Sequence, residues 1–409
     1  MQKIIFVTDN YDYDYSFFTN ELKQLSKLYD ITVISLGKSD FINKIEGVDY
    51  HNYEISMSII KKIILLLSYF FNAISYPEII DVLKRKNRCL CLKQSIGYYY
   101  KSELFYHYLV STLRNSIDEA LLYSFWCNYY TLSFVNHFKG KNKIITRLHG
   151  YDLYHDRTEV GRFPFREVIN HGVDKLIFIG DFPCQYYVSH YKNICPNKIA
   201  INRLGVNIDE RLDRSVIRNA QIKEYPQNDK FIIVSCSSLI PLKRIDLLIE
   251  ALSLIKDISI QWVHFGDGML KNELLKYCAE ILPDNIDYDF RGYVTNSAIW
   301  EFYINNYIDV FINVSETEGA PVSIMEAMAA GIPIVAPVVG DIPQMIINNG
   351  ILLSKNPNGL EIANSIKYLR QMSKEDVLNV RKSSYLLWEE KYNSNKNVKE
   401  FVGILATLV

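Results

Sequence analysis

The 409-residue chain has no excess charge of either sign: 45 lysines and arginines stand against 46 aspartates and glutamates, a formal net charge of −1. Nothing in that balance argues for nucleic acid as a main partner, which would show as a basic surface. The seven cysteines include no C-x-x-C pair, and their odd number fits reduced cytosolic thiols rather than a disulfide framework. Glycine is missing from the loop Asp9–Tyr15 after the first apolar run, which excludes a dinucleotide fingerprint there. No D-x-D triplet sits convincingly between a strand and a loop, so no essential metal and no cofactor are expected. No repeat or low-complexity tract is evident. Residues Met1–Thr8 run straight into a strand pattern instead of the longer apolar core of a signal peptide. The most apolar window, Ile59–Ile74, is too short and too interrupted to read as a membrane span.

What is present is an alternation of buried-strand and helix patterns. Hydrophobic residues make up 49% and charged residues 22%, as in an ordinary globular protein, and the length predicts two or three domains. Strand-like runs in the first half are Lys3–Thr8, Ile31–Leu36, Ala120–Ser124, Lys143–Arg147, Asp174–Ile179 and Lys198–Asn202, with a helical pattern over Ser16–Leu28. Those in the second half are Phe231–Cys236, Ser259–Phe265, Asp287–Phe290 and Asp309–Val314. Between Ile208 and Asp229 the chain is charged and lacks apolar periodicity. The predicted partition is a domain over 1–207, a linker over 208–229, a domain over 230–382 and a helical segment over 383–409.

The stretch with most chemistry is Ser315–Pro337. An apolar strand ends at Ser315, a polar turn carries Glu316, Glu318 and Gly319, and Val322–Ala330 has high helix propensity before Gly331 and Pro333 stop it. A loop that opens a helix presents unpaired amides and the positive dipole end, which suits a diphosphate. Carboxylates beside such a site fit neutral sugar hydroxyls, so Glu318 and Glu326, with seven residues between them, can reach opposite ends of one extended ligand. Equally, acidic residues at a helix start can simply favour the dipole, with Glu326 on the surface.

The pattern E-G-x-P-x-S-x-x-E-A-M-A-x-G-x-P over Glu318–Pro333 resembles the E-x7-E signature of the retaining glycosyltransferases of family four. These are GT-B enzymes, with two doubly wound α/β domains facing a central cleft, and they use nucleotide-sugar donors. The resemblance implies that Glu318 binds hydroxyls of the donor sugar and Glu326 the ribose. It also implies that the backbone of Gly319, Ala320, Pro321 and Val322 touches sugar and phosphate. Lys243 matches the family lysine that grips the donor phosphates. The family arginine is replaced by Ser238, which raises the question of whether Arg244 supplies the missing charge. Gly266 lies in a tight turn that permits close ligand approach, and Tyr293 and Val294 stand where the family backbone meets the base. Val338–Gln344 departs from the frequent Gly-Gly-x-x-Glu, which predicts altered local contacts.

In the first half, His149 follows a strand in the pair His149-Gly150, and the resemblance places it against the donor sugar near the reacting centre. Tyr151 and Asp152 are acceptor-side candidates, as are Tyr13 and Asp14, which replace the glycines many family members carry there. Trp126 can line an acceptor groove or belong to the core. Residues 59–88, which end in the basic run Lys84–Arg88, allow two readings: a buried helix, or a helix lying on an anionic membrane face. The expectation is a cytoplasmic enzyme, peripheral on the inner membrane face in the second reading. It would move a hexosyl group, with retention, from a nucleoside-diphosphate sugar to a glycan or polyprenyl-linked acceptor. A sugar-nucleotide epimerase and a catalytically silent paralogue are the alternatives.

Overall fold

The computed structural model describes residues 2–54, 67–208 and 230–408, with only the backbone at 13–17 and 115. The chain forms two units, one of residues 1–203 and 398–409, the other of residues 204–397. The predicted linker lies almost wholly outside the described residues. The predicted segment 383–409 is divided between the units, since 383–397 stays with the second and 398–409 joins the first.

The first unit is built on β1 (Lys3–Thr8), β2 (Asp30–Leu36), β3 (Val48–Tyr53), β4 (Leu121–Ser124), β5 (Ile144–Leu148), β6 (Lys175–Phe178) and β7 (Ile199–Ile201). All pair in parallel, in the order β3-β2-β1-β4-β5-β6-β7. Strands buried on both faces read as continuous apolar runs, and β1 and β4 are buried along nearly their whole length. The order reverses between β1 and β4, so a crevice is expected outside their carboxyl ends.

Two features of this unit differ from expectation. The predicted loop Asp9–Tyr15 is mostly helix, Tyr11–Leu25. Its start is fixed because the Tyr11 amide donates to Ser35 Oγ at 3.0 Å and the Asp12 carboxylate accepts from the Ser39 hydroxyl and the Asp40 and Ile42 amides. The edge strand β3 has the sequence VDYHNY, too polar to register as a buried strand. The helix Ser394–Ala406 closes this core, where Phe401 packs on Tyr123 and the buried Arg147 guanidinium lies 4.8 Å from the Phe401 ring. Arg147 is neutralised by Glu21 at 2.8 Å.

Of the apolar window at 59–74, residues up to 66 lie outside the described part. Residues 67–83 carry an exposed apolar surface, with Leu67, Phe70, Phe71, Tyr76, Ile80 and Leu83 open to solvent beside the basic run. Tyr69 and Val82 alone of the large apolar residues between 67 and 83 are fully buried, so a simple core helix does not describe this part. No helix among the described residues is long and apolar enough to cross a membrane.

The second unit holds β8 (Phe231–Cys236), β9 (Ile260–Phe265), β10 (Ile286–Phe290), β11 (Val310–Ile312), β12 (Ile334–Pro337) and β13 (Gly350–Leu353). They are parallel in the order β10-β9-β8-β11-β12-β13. Here the reversal falls between β8 and β11, so the loops after those two strands face each other across a switch point. The short β12 and β13 were not anticipated, since Pro333 and Gly350 at their starts read as turn residues.

Candidate active site

The loop after β11 runs from Asn313 to Pro321 and opens the helix Val322–Ala329. Pro321 is its N-cap in an extended conformation and brings no capping side chain, so the first-turn amides can meet an acceptor from outside. Across the switch point, the loop after β8 ends in the turn Pro241–Lys243. Lys243 Nζ lies 2.7 Å from Glu318 Oε1, and the Asn313 side chain donates from Nδ2 to the same oxygen at 3.2 Å.

Arg244 follows in the left-handed region, at φ +48°, which turns its side chain back under the neighbouring loop. Its Nε donates to the Val314 carbonyl at 2.8 Å and Nη2 to the Ser315 carbonyl at 3.3 Å. The Glu316 amide returns a bond to the Leu242 carbonyl at 2.9 Å. These bonds make Arg244 a brace for the loop that carries Glu318. Ser238, at the family arginine position, is exposed.

Glu326 is 7% exposed, which excludes the surface alternative, and Asn296 is its hydrogen-bond donor. Burial pushes its carboxyl up to about 7. The Cys236 thiol at the end of β8 is pushed up to about 12 by burial and by Glu326, against the pull of Lys243. Lys243, Cys236 and Glu326 therefore share one electrostatic neighbourhood.

Three surrounding loops hold this floor. Gly340 has φ +54° and packs on the Glu318 carbonyl so closely that a Cβ would overlap backbone, while the Asp341 amide donates to the Gly319 carbonyl at 2.9 Å. The departure Val338–Gln344 thus buttresses the signature loop. Gly266, at φ +136°, leaves room only for the Ser237 carbonyl, and its amide bonds the Gly292 carbonyl at 2.9 Å. Beyond it Tyr293 is 86% exposed, with Val294 half-buried.

In the first unit, His149 sits directly after β5, 4% exposed, with its ring 4.1 Å from Trp126 and 4.6 Å from Phe125. Among the described residues neither ring nitrogen has a hydrogen-bond partner. Burial, reinforced by the Arg147 charge, holds its pKa well below the usual value, so the imidazole is neutral. Asp152 is not an open acceptor contact. Its carboxylate is buried, accepts from the amides of His149 (2.6 Å) and Cys127 (2.7 Å), and is pushed up to about 6 by burial. It shapes the turn that presents His149.

Tyr151 is 44% exposed, packs at a tilt on Trp126 with ring centroids 4.6 Å apart and hydrogen-bonds the Asp9 carboxylate after β1. The side chains of Tyr13 and Asp14 lie outside the described residues. Asp9, Asn296 and Cys236 were missed from the sequence, where the only available hint was that each flanks a strand end or helix start.

Residues 217–383 match the family described as Glycosyl transferases group 1. This match spans less than half of the chain and lies within its second unit. A relative, the uncharacterized glycosyltransferase MJ1178 of Methanocaldococcus jannaschii, is 28% identical over 47% of the chain and 55% of its own length. The O-antigen biosynthesis glycosyltransferase WclY of Escherichia coli is 25% identical over 66% of the chain and 74% of its own length. The crystal structure of Anabaena HepE in complex with UDP-glucose superposes with a TM-score of 0.66, at 13% identity, over all of both chains. The fold shared by the group 1 domain and the unit before it is the α/β GT-B fold expected from the sequence.

Proposed function

We propose that the protein is a retaining glycosyltransferase that moves a hexosyl group from a nucleoside-diphosphate sugar to a hydroxyl of a glycan or lipid-linked acceptor in surface polysaccharide assembly. The observation that carries this reading is the Lys243–Glu318 pair beside the uncapped start of the helix Val322–Ala329, with buried Glu326 on the same helix. A diphosphate resting on those amides would draw Lys243 toward it, and the lysine and helix dipole would stabilise the charge that grows on the leaving nucleotide. Glu318, released from Lys243, accepts hydrogen bonds from sugar hydroxyls. Glu326 accepts from the ribose.

In this reading no carboxylate attacks the sugar. The bond from the anomeric carbon to the diphosphate oxygen breaks, the acceptor oxygen bonds that carbon on the same face, and the acceptor proton passes to the departing phosphate oxygen. No metal takes part. The neutral His149 ring, with no hydrogen-bond partner on either nitrogen among the described residues, can bond a sugar hydroxyl. The name of WclY supports O-antigen or a similar polysaccharide as the product, and the HepE complex supports a UDP-hexose among the donors to try. The exposed apolar side chains of residues 67–83 beside the basic run support contact with the inner membrane face.

The test is a panel of UDP-, GDP- and ADP-sugars with polyprenyl-linked and soluble acceptors, reading nucleotide release and the anomeric configuration of the product by NMR. Retained configuration and a product that depends on acceptor support the proposal. Release of free or isomerised sugar with no acceptor product points to an epimerase, and nucleotide binding without turnover to a silent paralogue.

A further inference from the structure

A cavity of about 270 Å³ lies inside the first unit, between the helix Ser75–Leu83 and the segment that follows Tyr154. Three arginines line it, and so do the carboxylates of Glu78, Asp81 and Glu167. Two of the arginines are matched by acids. Arg85 pairs with Asp81 at 2.9 Å, and Arg162 meets Glu78 and, at 3.2 Å, Asp81.

Arg166 is different. It is 3% exposed, its guanidinium lies 4.5 Å from the Phe163 ring, and Nη2 donates to the Asp152 carbonyl at 2.8 Å. Among the described residues its Nε and Nη1 have no acceptor. Glu78 is already engaged by the Ser95 hydroxyl, Arg162 and the Phe165 amide. Buried charged donors left open are costly unless something completes them. Two such nitrogens on the planar fork of Arg166, beside one hollow, match two oxygens of a tetrahedral anion. Because the carboxylates balance the arginines, the site selects by directed donors, not by bulk charge.

We propose that this cavity binds a phosphate or diphosphate group carried by the acceptor, an inference that rests on the reading of the protein as a glycosyltransferase with a lipid-linked substrate. The helix Ser75–Leu83 borders both parts of such a site: its Glu78 and Asp81 hold Arg162 and Arg85 at the cavity wall, while its Tyr76, Ile80 and Leu83 are exposed as a seat for an apolar chain. Asp152 links the cavity to the reacting segment, since its carbonyl holds Arg166 and its carboxylate holds the His149 amide.

Calorimetric titration of the full-length chain tests this, with inorganic pyrophosphate, farnesyl diphosphate and glucuronate as probes. The background is Lys243→Gln, which weakens any phosphate site in the second unit. Pyrophosphate should bind in that background, and Arg166→Lys added to it should weaken binding about tenfold or more, because the charge remains while the fork is lost. Arg85→Gln, at a half-exposed position, should weaken it too, and it carries the comparison if circular dichroism shows that Arg166→Lys does not fold. Tighter binding of farnesyl diphosphate than of pyrophosphate assigns the phosphate to a lipid, and equal binding assigns it to a soluble molecule. Binding that vanishes in Lys243→Gln, binding unchanged by both arginine variants, or a preference for glucuronate overturns the site. Loss of sugar transfer with phosphate binding intact would count against the functional reading alone.

Discussion

Lys243 Nζ lies 2.7 Å from Glu318 Oε1, joining the loop after β8 to the loop after β11 across the switch point of the second unit. In the proposed reaction a ligand carrying phosphates on one side and hydroxyls on the other would take this pair apart. Lys243→Ala is therefore expected to lower kcat by roughly 10²–10³, as loss of one charge-stabilising donor does. Steady-state kinetics with the preferred donor would decide it, and a change below about threefold would remove Lys243 from the mechanism.

Glu326 gives a pH signature. Its carboxyl is raised by burial to about 7, so the folded state holds the proton more tightly than the unfolded chain, and stability from this group is present at low pH and lost as pH rises through about 7. Glu326→Gln should therefore gain in Tm relative to the native chain between about pH 5 and about pH 8.5, by the equivalent of up to ~3 kcal/mol. Nucleotide affinity of the native chain should fall on acidification through the same range, and the glutamine variant should bind weakly at every pH. Parallel melting curves for the two proteins would exclude the raised pKa.

Arg244 separates bracing from charge. Its two bonds go to carbonyls of the signature loop, so Arg244→Lys, which keeps the charge, should still raise the donor KM about tenfold. Recovery of native kinetics in the lysine variant would instead assign the guanidinium to the phosphates.

Gly340→Ala tests the support beneath Glu318. A methyl group there meets the Glu318 carbonyl, at a φ of +54° that already disfavours a side chain. The expected cost is ~1–3 kcal/mol of stability by chemical denaturation, with loss of activity at temperatures where the variant stays folded.

On the acceptor side, Tyr151→Phe removes the bond to Asp9 while leaving the ring contact with Trp126. It should raise the acceptor KM about three- to tenfold and leave the donor KM unchanged. An equal change in both would place Tyr151 in general packing.

Much of this architecture could be read without coordinates, for a physical reason. Central parallel strands are buried on both faces, so β1, β4, β8 and β9 appear as short apolar runs whatever packs on them. Glu318 and Glu326 were legible because one strand, loop and helix carries both. The edge strand β3 was not, since only Tyr53 of its six residues is buried and its sequence looks like a loop. Asp152 was misjudged because a polar residue beside a histidine has the same appearance whether it meets a substrate or two backbone amides. Only burial tells these apart. Asn296 and Asp9 reach their partners from 30 and 142 residues away, a proximity no local pattern encodes.

The placement of Phe401 among Tyr123 and Arg147 also bears on how the molecule is made. Residues 204–397 are one uninterrupted stretch and can complete their own unit as soon as they leave the ribosome. The unit carrying His149 cannot, because residues 398–409, which bring Phe401 into its interior, come after residues 204–397 in the chain. Its interior stays partly uncovered until the ribosome has passed the whole of the other unit.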